Sequence, residues 1–79
     1  MATDTASTVA ANVRAEVARR GLRHADLADA LGISRPAMSR RLTGDMTFDV
    51  DELQTVARFL GVPVAHLLDA ADERAAASP

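Results

Sequence analysis

Residues 24–42 read His-Ala-Asp-Leu-Ala-Asp-Ala-Leu-Gly-Ile-Ser-Arg-Pro-Ala-Met-Ser-Arg-Arg-Leu, and two helical patterns meet within them with almost no chain between. The first pattern spans 24–31 and buries Leu27, Ala28 and Leu31. Asp26 falls in its first turn, where a carboxylate complements the unpaired N–H groups of a helix start. Gly32 breaks the helix and Ile33 returns to the core. Ser34 is a strong N-cap for the second helix, and Pro36 lies in its first turn, where the missing N–H forfeits no intrahelical bond. Met38 and Leu42 form the buried side of this helix, and Gly44 ends it. At 100° per residue Arg40 points almost directly away from the Met38–Leu42 side. Pro36 and Thr43 flank it, with Ser39 and Ala37 further round. Two short helices joined this tightly allow one to enter a DNA major groove while the other braces it across the backbone.

Outward from this pair the same periodicity continues. Val9, Val13 and Val17, with Ala6 and Ala10, predict a first helix from about Thr5 to Arg20, capped by Thr3 or Asp4 and ended by Gly21. Downstream, Asp49 followed by Glu52 is a capping-box pattern with Asp in place of Ser or Thr, and Phe48 and Leu53 can form its hydrophobic staple. Leu53, Val56, Ala57 and Leu60 carry the stripe to Gly61. Pro63 then starts a short fifth helix using Val64, Leu67 and Leu68, after which 71–79 are expected to fray. There is no internal repeat and no strand pattern. The expected fold is all-α: a compact five-helix domain over 1–79 with its core within about 5–70.

Seventy-nine residues suffice for one small core. The apolar fraction is 48%, much of it Ala, and Phe48 and Phe59 are the only aromatics, a composition that favours closely packed helices. With no Cys, disulfides and thiolate zinc sites are excluded. No apolar run reaches the ~20 residues of a membrane span, and no signal-peptide core is visible, so a cytoplasmic, nucleoid-associated location is expected. Net charge is −2, but residues 1–41 carry +3 and residues 42–79 carry −5. Such polarity lets the basic end meet phosphates while the acidic end faces solvent or a partner. All nine basic residues are Arg, which suits bidentate contacts and also fits GC-rich coding bias.

On these residues the chain resembles the lambda repressor/Cro-type (XRE-like) helix-turn-helix family over roughly 9–68. The likeness is carried by Leu27-Ala28, Gly32-Ile33-Ser34, Met38, and the Leu42-Thr43-Gly44 exit. Leu53…Val56-Ala57-Arg58-Phe59-Leu60-Gly61-Val62 and Leu67-Leu68 continue it. Each piece has a packing reason: Ala28 must be small where the helices cross, Gly32 makes the turn, and Met38 plugs the angle between them. The chain departs from the family at His24, where Gln usually bonds a phosphate, and at Arg23, where Ser or Thr usually caps.

The resemblance implies a recognition helix whose start supplies base contacts, which maps onto Arg35 and Pro36, with Ser39 and Arg40 one turn later. Arg40 is the leading candidate for a guanine contact, because guanidinium pairs bidentately with O6 and N7. Arg35 fits base or phosphate equally, and Ser39 fits a base contact or an ordinary surface position. Phosphate candidates are Arg23, His24, Ser34, Arg41 and Thr43. Ser34 is first a cap, with the N–H groups behind it able to hold a phosphate. The Arg41 stem is expected along the core edge with its charge directed outward. Arg14 and His66 are expected to face solvent. Asp49, Asp51 and Glu52 are accounted for by capping and the helix dipole.

The function implied is a sequence-specific double-stranded DNA-binding transcription regulator, a repressor occupying an operator. The resemblance suggests phage immunity repressors, Cro-like switches, plasmid control proteins and antitoxins as settings. A domain this small is expected to bind as a homodimer or as paired copies on half-sites about 10 base pairs apart, or a multiple of that spacing. The alternative is a protein-interaction module that keeps the fold and uses its acidic half. No cofactor, metal or small-molecule substrate is expected. A Cys nucleophile, a metal cluster, a phosphate loop and a His–carboxylate pairing in sequence are all lacking, which argues against an enzyme.

Overall fold

Ser34 and Asp49 start the two helices at the centre of a computed structural model that describes residues 5–69. Five helices run in order: α1 (Thr5–Arg19), α2 (His24–Leu31), α3 (Arg35–Thr43), α4 (Val50–Leu60) and α5 (Val64–Leu68). No strand occurs among the described residues. Ser34 Oγ accepts from the Ala37 N–H at 3.2 Å, and Asp49 Oδ1 accepts from the Glu52 N–H at 2.7 Å. Glu52 reciprocates by accepting the Asp49 N–H at 3.0 Å, which completes the capping box expected there. The expected caps at Thr3 and Asp4, and the tail 71–79, lie outside the described residues.

The turn between α2 and α3 depends on Gly32. Its φ of +70° closes a C-terminal cap in which the Gly32 N–H reaches Asp29 O at 3.2 Å and the Ile33 N–H reaches Ala28 O at 3.1 Å. A side chain there would meet no atom within 4 Å, so the requirement is conformational rather than spatial. At the other end of α3, Gly44 has φ +88° and is also crowded: an added Cβ would lie 3.2 Å from Ser7 Oγ.

Val9, Val13, Val17, Leu27, Ala28, Met38, Leu42, Phe48, Val56, Ala57, Leu60 and Leu67 form one continuous core. Helix α1 packs on α3, α4 and α5; α2 packs on α3 and α4; and α4 packs on α5. The core therefore lies behind α2 and α3 and fixes their mutual angle. Met38 is 1% exposed, and burying a side chain of that size contributes roughly 1.5–3 kcal/mol. Arg14 does more than face solvent: its guanidinium donates to the Leu42 carbonyl, joining α1 to the last turn of α3. No helix among the described residues is long and apolar enough to cross a membrane.

Candidate nucleic-acid interface

The outward side of α3 follows from its inward side. Met38 and Leu42 are buried, and Arg35, Pro36, Ser39, Arg40 and Thr43 are all exposed. The cap and the first turn of α3 present backbone N–H groups beside Ser34. Its hydroxyl accepts from Ala37 and keeps its own hydrogen to donate. His24 stands exposed at the start of α2, next to Arg35 and Ser39 across the crease between the helices.

The arginines divide into two groups. Arg19 and Arg20 both pair with Glu16, and Arg23 pairs with Asp26 at 3.2 Å. Arg14 is engaged with Leu42, and Arg41 is engaged with Glu52. The side chains of Arg35, Arg40 and Arg58 have no hydrogen-bond or ion-pair partner among the described residues. Arg58 lies in the last turn of α4, where a cation suits the helix dipole. Of the seven arginines in residues 1–41, then, the two on α3 nearest the expected readout positions are the ones left open.

Arg41 departs from expectation. Its charge does not escape outward: Nε and Nη2 donate to the two carboxylate oxygens of Glu52 at 3.0 and 3.1 Å, and Nη1 donates to Ala37 O at 3.0 Å. With its side chain only 14% exposed, Arg41 is a strut from α3 to α4, its charge matched to Glu52. Thr43 is exposed, but its hydroxyl hydrogen is given to Arg40 O at 3.1 Å. Arg23 cannot cap α2 through its side chain, having no acceptor. Asp26 supplies the other half of the box, accepting the Arg23 N–H at 2.9 Å. That bond and the guanidinium beside it hold the Asp26 carboxyl below its usual range. The Arg23 side chain stays 81% exposed, so its pair with Asp26 is a loose one.

A family model for the BetR domain, a domain of the helix-turn-helix type, matches residues 4–79. The chain belongs to this family. No curated protein sequence matches it. Two crystal structures share the fold. A hypothetical transcription factor, NHTF, from Neisseria matches with a TM-score of 0.83 at 24% identity, covering 95% of this chain and 86% of that one. The clp gene regulator ClgR from C. glutamicum matches with a TM-score of 0.79 at 24% identity, covering 99% and 97%. The expected all-α, five-helix architecture is thus shown, and the helix-turn-helix of this BetR domain is formed by α2 and α3.

Two buried polar residues of this BetR domain have no counterpart in the sequence expectations. Asn12 is 2% exposed and donates through Nδ2 to the carbonyls of Leu67 and Asp69 at 2.8 and 2.6 Å, fastening the end of α5 to α1. Glu16 is 4% exposed and gathers Arg19, Arg20 and His66. His66, expected at the surface, lies 2.5 Å from Glu16 and forms a second tie between α1 and α5. The hydrogen bond from His66, aided by Arg20 and Arg19 and opposed by burial, lowers the Glu16 carboxyl from 4.5 to about 2. The spacing 9, 12, 13, 16, 17 is the full core stripe of a helix, and it held the signal: Asn12 and Glu16 sit in it beside the three valines.

Proposed function

We propose that this BetR domain is a double-stranded DNA-binding transcription regulator that reads an operator with α3 in the major groove. The observation that carries the reading is the selective availability of Arg35 and Arg40. Both are exposed on α3 without partners among the described residues, while Arg19, Arg20, Arg23 and Arg41 are matched to carboxylates. Arg40 reads a guanine edge, and Arg35, Pro36 and Ser39 meet neighbouring base pairs or the adjoining backbone. His24, Ser34, Arg23 and Thr43 hold phosphates on either side, Arg23 by exchanging its loose pair with Asp26 and Thr43 by turning its hydroxyl away from the Arg40 carbonyl. Occupying an operator blocks promoter access, so the sign of regulation is repression. Phage or plasmid control of the kind served by lambda/Cro-type repressors is one setting, with two copies meeting paired half-sites and working in the cytoplasm on the nucleoid.

Affinity has two parts. Phosphate contacts release counterions and make binding fall with salt, with a slope of about −0.9 per phosphate neutralised. Base contacts add about 1–3 kcal/mol of discrimination for each good bidentate pair. The test is selection of duplexes from a randomised pool, repeated at two salt concentrations. An enriched, guanine-containing motif retained at the higher salt supports the reading. Retention without any enriched sequence would reduce the protein to a nonspecific DNA binder. No retention at either salt would favour a protein-interaction module with the same fold.

A further inference from the structure

A cleft of about 300 Å³ lies between the start of α2 and one side of α3, lined by His24, Ala25, Arg35, Met38 and Ser39. Met38, fully buried, and Ala25, half-buried, make an apolar floor, whereas His24, Arg35 and Ser39 form an exposed rim. Arg35 and Ser39 are one helical turn apart, so they stand on the same strip of α3 with Met38 between them. Water over a floor without donors or acceptors is poorly held, and an apolar group that displaces it gains binding energy. In the major groove the apolar group that a base edge offers is a pyrimidine 5-methyl, carried by thymine. Methylated cytosine presents the same group at the same place.

We infer that this cleft seats the 5-methyl group of a pyrimidine next to the base pair met by Arg35, an inference that rests on the DNA-reading function proposed above. The rim favours this occupant over an apolar ligand free in solution. Arg35 has no protein partner among the described residues, and a cation at the mouth of an apolar hollow complements a duplex, whose methyl groups lie between anionic ridges. The width of the opening is set by Ala25: a larger residue there would fill the hollow without touching the outward face that carries Arg40.

The experiment is a single-substitution scan of the duplex enriched by selection. Each thymine is replaced in turn by uracil, which removes only the methyl group. One position per half-site is expected to bind about fourfold more weakly, the fold-change that corresponds to about 0.8 kcal/mol for one buried methyl-sized group. At that position a cytosine–guanine pair carrying 5-methylcytosine should bind more tightly than the same pair unmethylated. Methylcytosine that gains affinity over cytosine supports the inference and makes the cleft a reader of methylation as well as sequence; methylcytosine that gains nothing overturns it. Ala25→Leu should abolish the uracil effect while keeping the guanine preference, with its helical circular dichroism matching wild type. Should Ala25→Leu fail to fold, Ala25→Val serves the same purpose. Enriched duplexes that show no uracil effect at any position overturn the inference, leave the DNA-reading function intact and assign the cleft another occupant. A uracil effect of equal size in the filled variant also overturns it, by placing the methyl elsewhere. Failure of any duplex to be enriched overturns both.

Discussion

Adjacent arginines in α3 have opposite fates, and the contrast shows what a residue-level argument can decide. Arg40 faces away from Met38 and Leu42 and is exposed with no partner among the described residues, so its removal costs the fold nothing. Arg40→Ala is expected to leave the denaturation midpoint within about 0.5 kcal/mol of wild type and to weaken operator binding about 5- to 150-fold, the range of one bidentate base contact. Titration of the selected duplex checks this; unchanged affinity would remove Arg40 from the readout face. Arg41 should behave in reverse. It clamps Glu52 with two hydrogen bonds and also returns one to Ala37, and its loss leaves a partly buried carboxylate without its cation. Arg41→Ala is expected to destabilise by about 1–3 kcal/mol, with the salt dependence of DNA binding unchanged. Chemical denaturation and a salt series on the same variant separate the two effects, and a shallower salt slope would return Arg41 to the phosphate contacts. The sequence made Arg40 legible, because helical period alone sets which way it points. It hid the role of Arg41, because Glu52 already had a sufficient explanation as a cap and its second bond crosses eleven residues of chain.

At the scale of elements, helix boundaries were the most legible feature, and the reason is local chemistry. Ser34, Asp49 and the glycines at 32, 44 and 61 act on neighbours within three or four residues, so their effects need no tertiary information. Helix α2 runs over 24–31 as expected, and α3 lies between the expected cap and exit. The end of α1 differs by one residue: the Arg20 N–H is shared between the carbonyls of Glu16 and Val17, both at 3.3 Å, as the last turn tightens. Gly44 illustrates a constraint that the sequence states only in part. Its left-handed conformation was readable, but the closeness of α1 was not, since Ser7 is 37 residues away in the chain. Gly44→Ala therefore combines about 1–2 kcal/mol of backbone strain with a 3.2 Å approach to Ser7 Oγ. Gly32→Ala should incur the backbone part alone, since nothing lies within 4 Å of its added methyl group. Thermal denaturation of the two variants is expected to rank Gly44→Ala as the more damaging. Ser34→Ala should cost about 1 kcal/mol and fray the start of α3, lowering DNA affinity and loosening base preference at the Arg35 end while sparing the guanine met by Arg40.

Across the whole molecule, charge is sorted by burial as well as by position. Of the arginines paired with carboxylates, Arg41 alone joins two helices, while α5 is held by the buried Leu67 and by polar ties to α1: Asn12 to the Leu67 and Asp69 carbonyls, and Glu16 to His66. These ties span more than fifty residues of chain, and periodicity cannot reveal them, because it marks a side chain as inward without naming what it meets. They also make the fold sensitive to acid in a definite sense. The Glu16 carboxyl is lowered from 4.5 to about 2, chiefly by the bond from His66 and then by Arg20 and Arg19. A carboxyl held lower in the folded chain than in the unfolded one stabilises the fold above the unfolded value and loses that contribution as it is protonated. The Glu16 contribution is therefore complete above about pH 5 and fades as pH falls from 4.5 towards 2. Screening at the exposed Arg19 side chain limits it to on the order of 2 kcal/mol. Glu16→Gln keeps the size of the side chain but removes the charge, so it should unfold more easily at pH 7 and show a flatter loss of stability between pH 4.5 and 2. Because His66 and the Asn12 contacts all terminate in or beside α5, hydrogen exchange in Val64–Leu68 should accelerate before that of α2 and α3. Parallel stability–pH curves for the variant and the wild type would mean that Glu16 titrates alike in folded and unfolded chains. The attachment of α5 would then rest on the Asn12 hydrogen bonds, Leu67 and the apolar core.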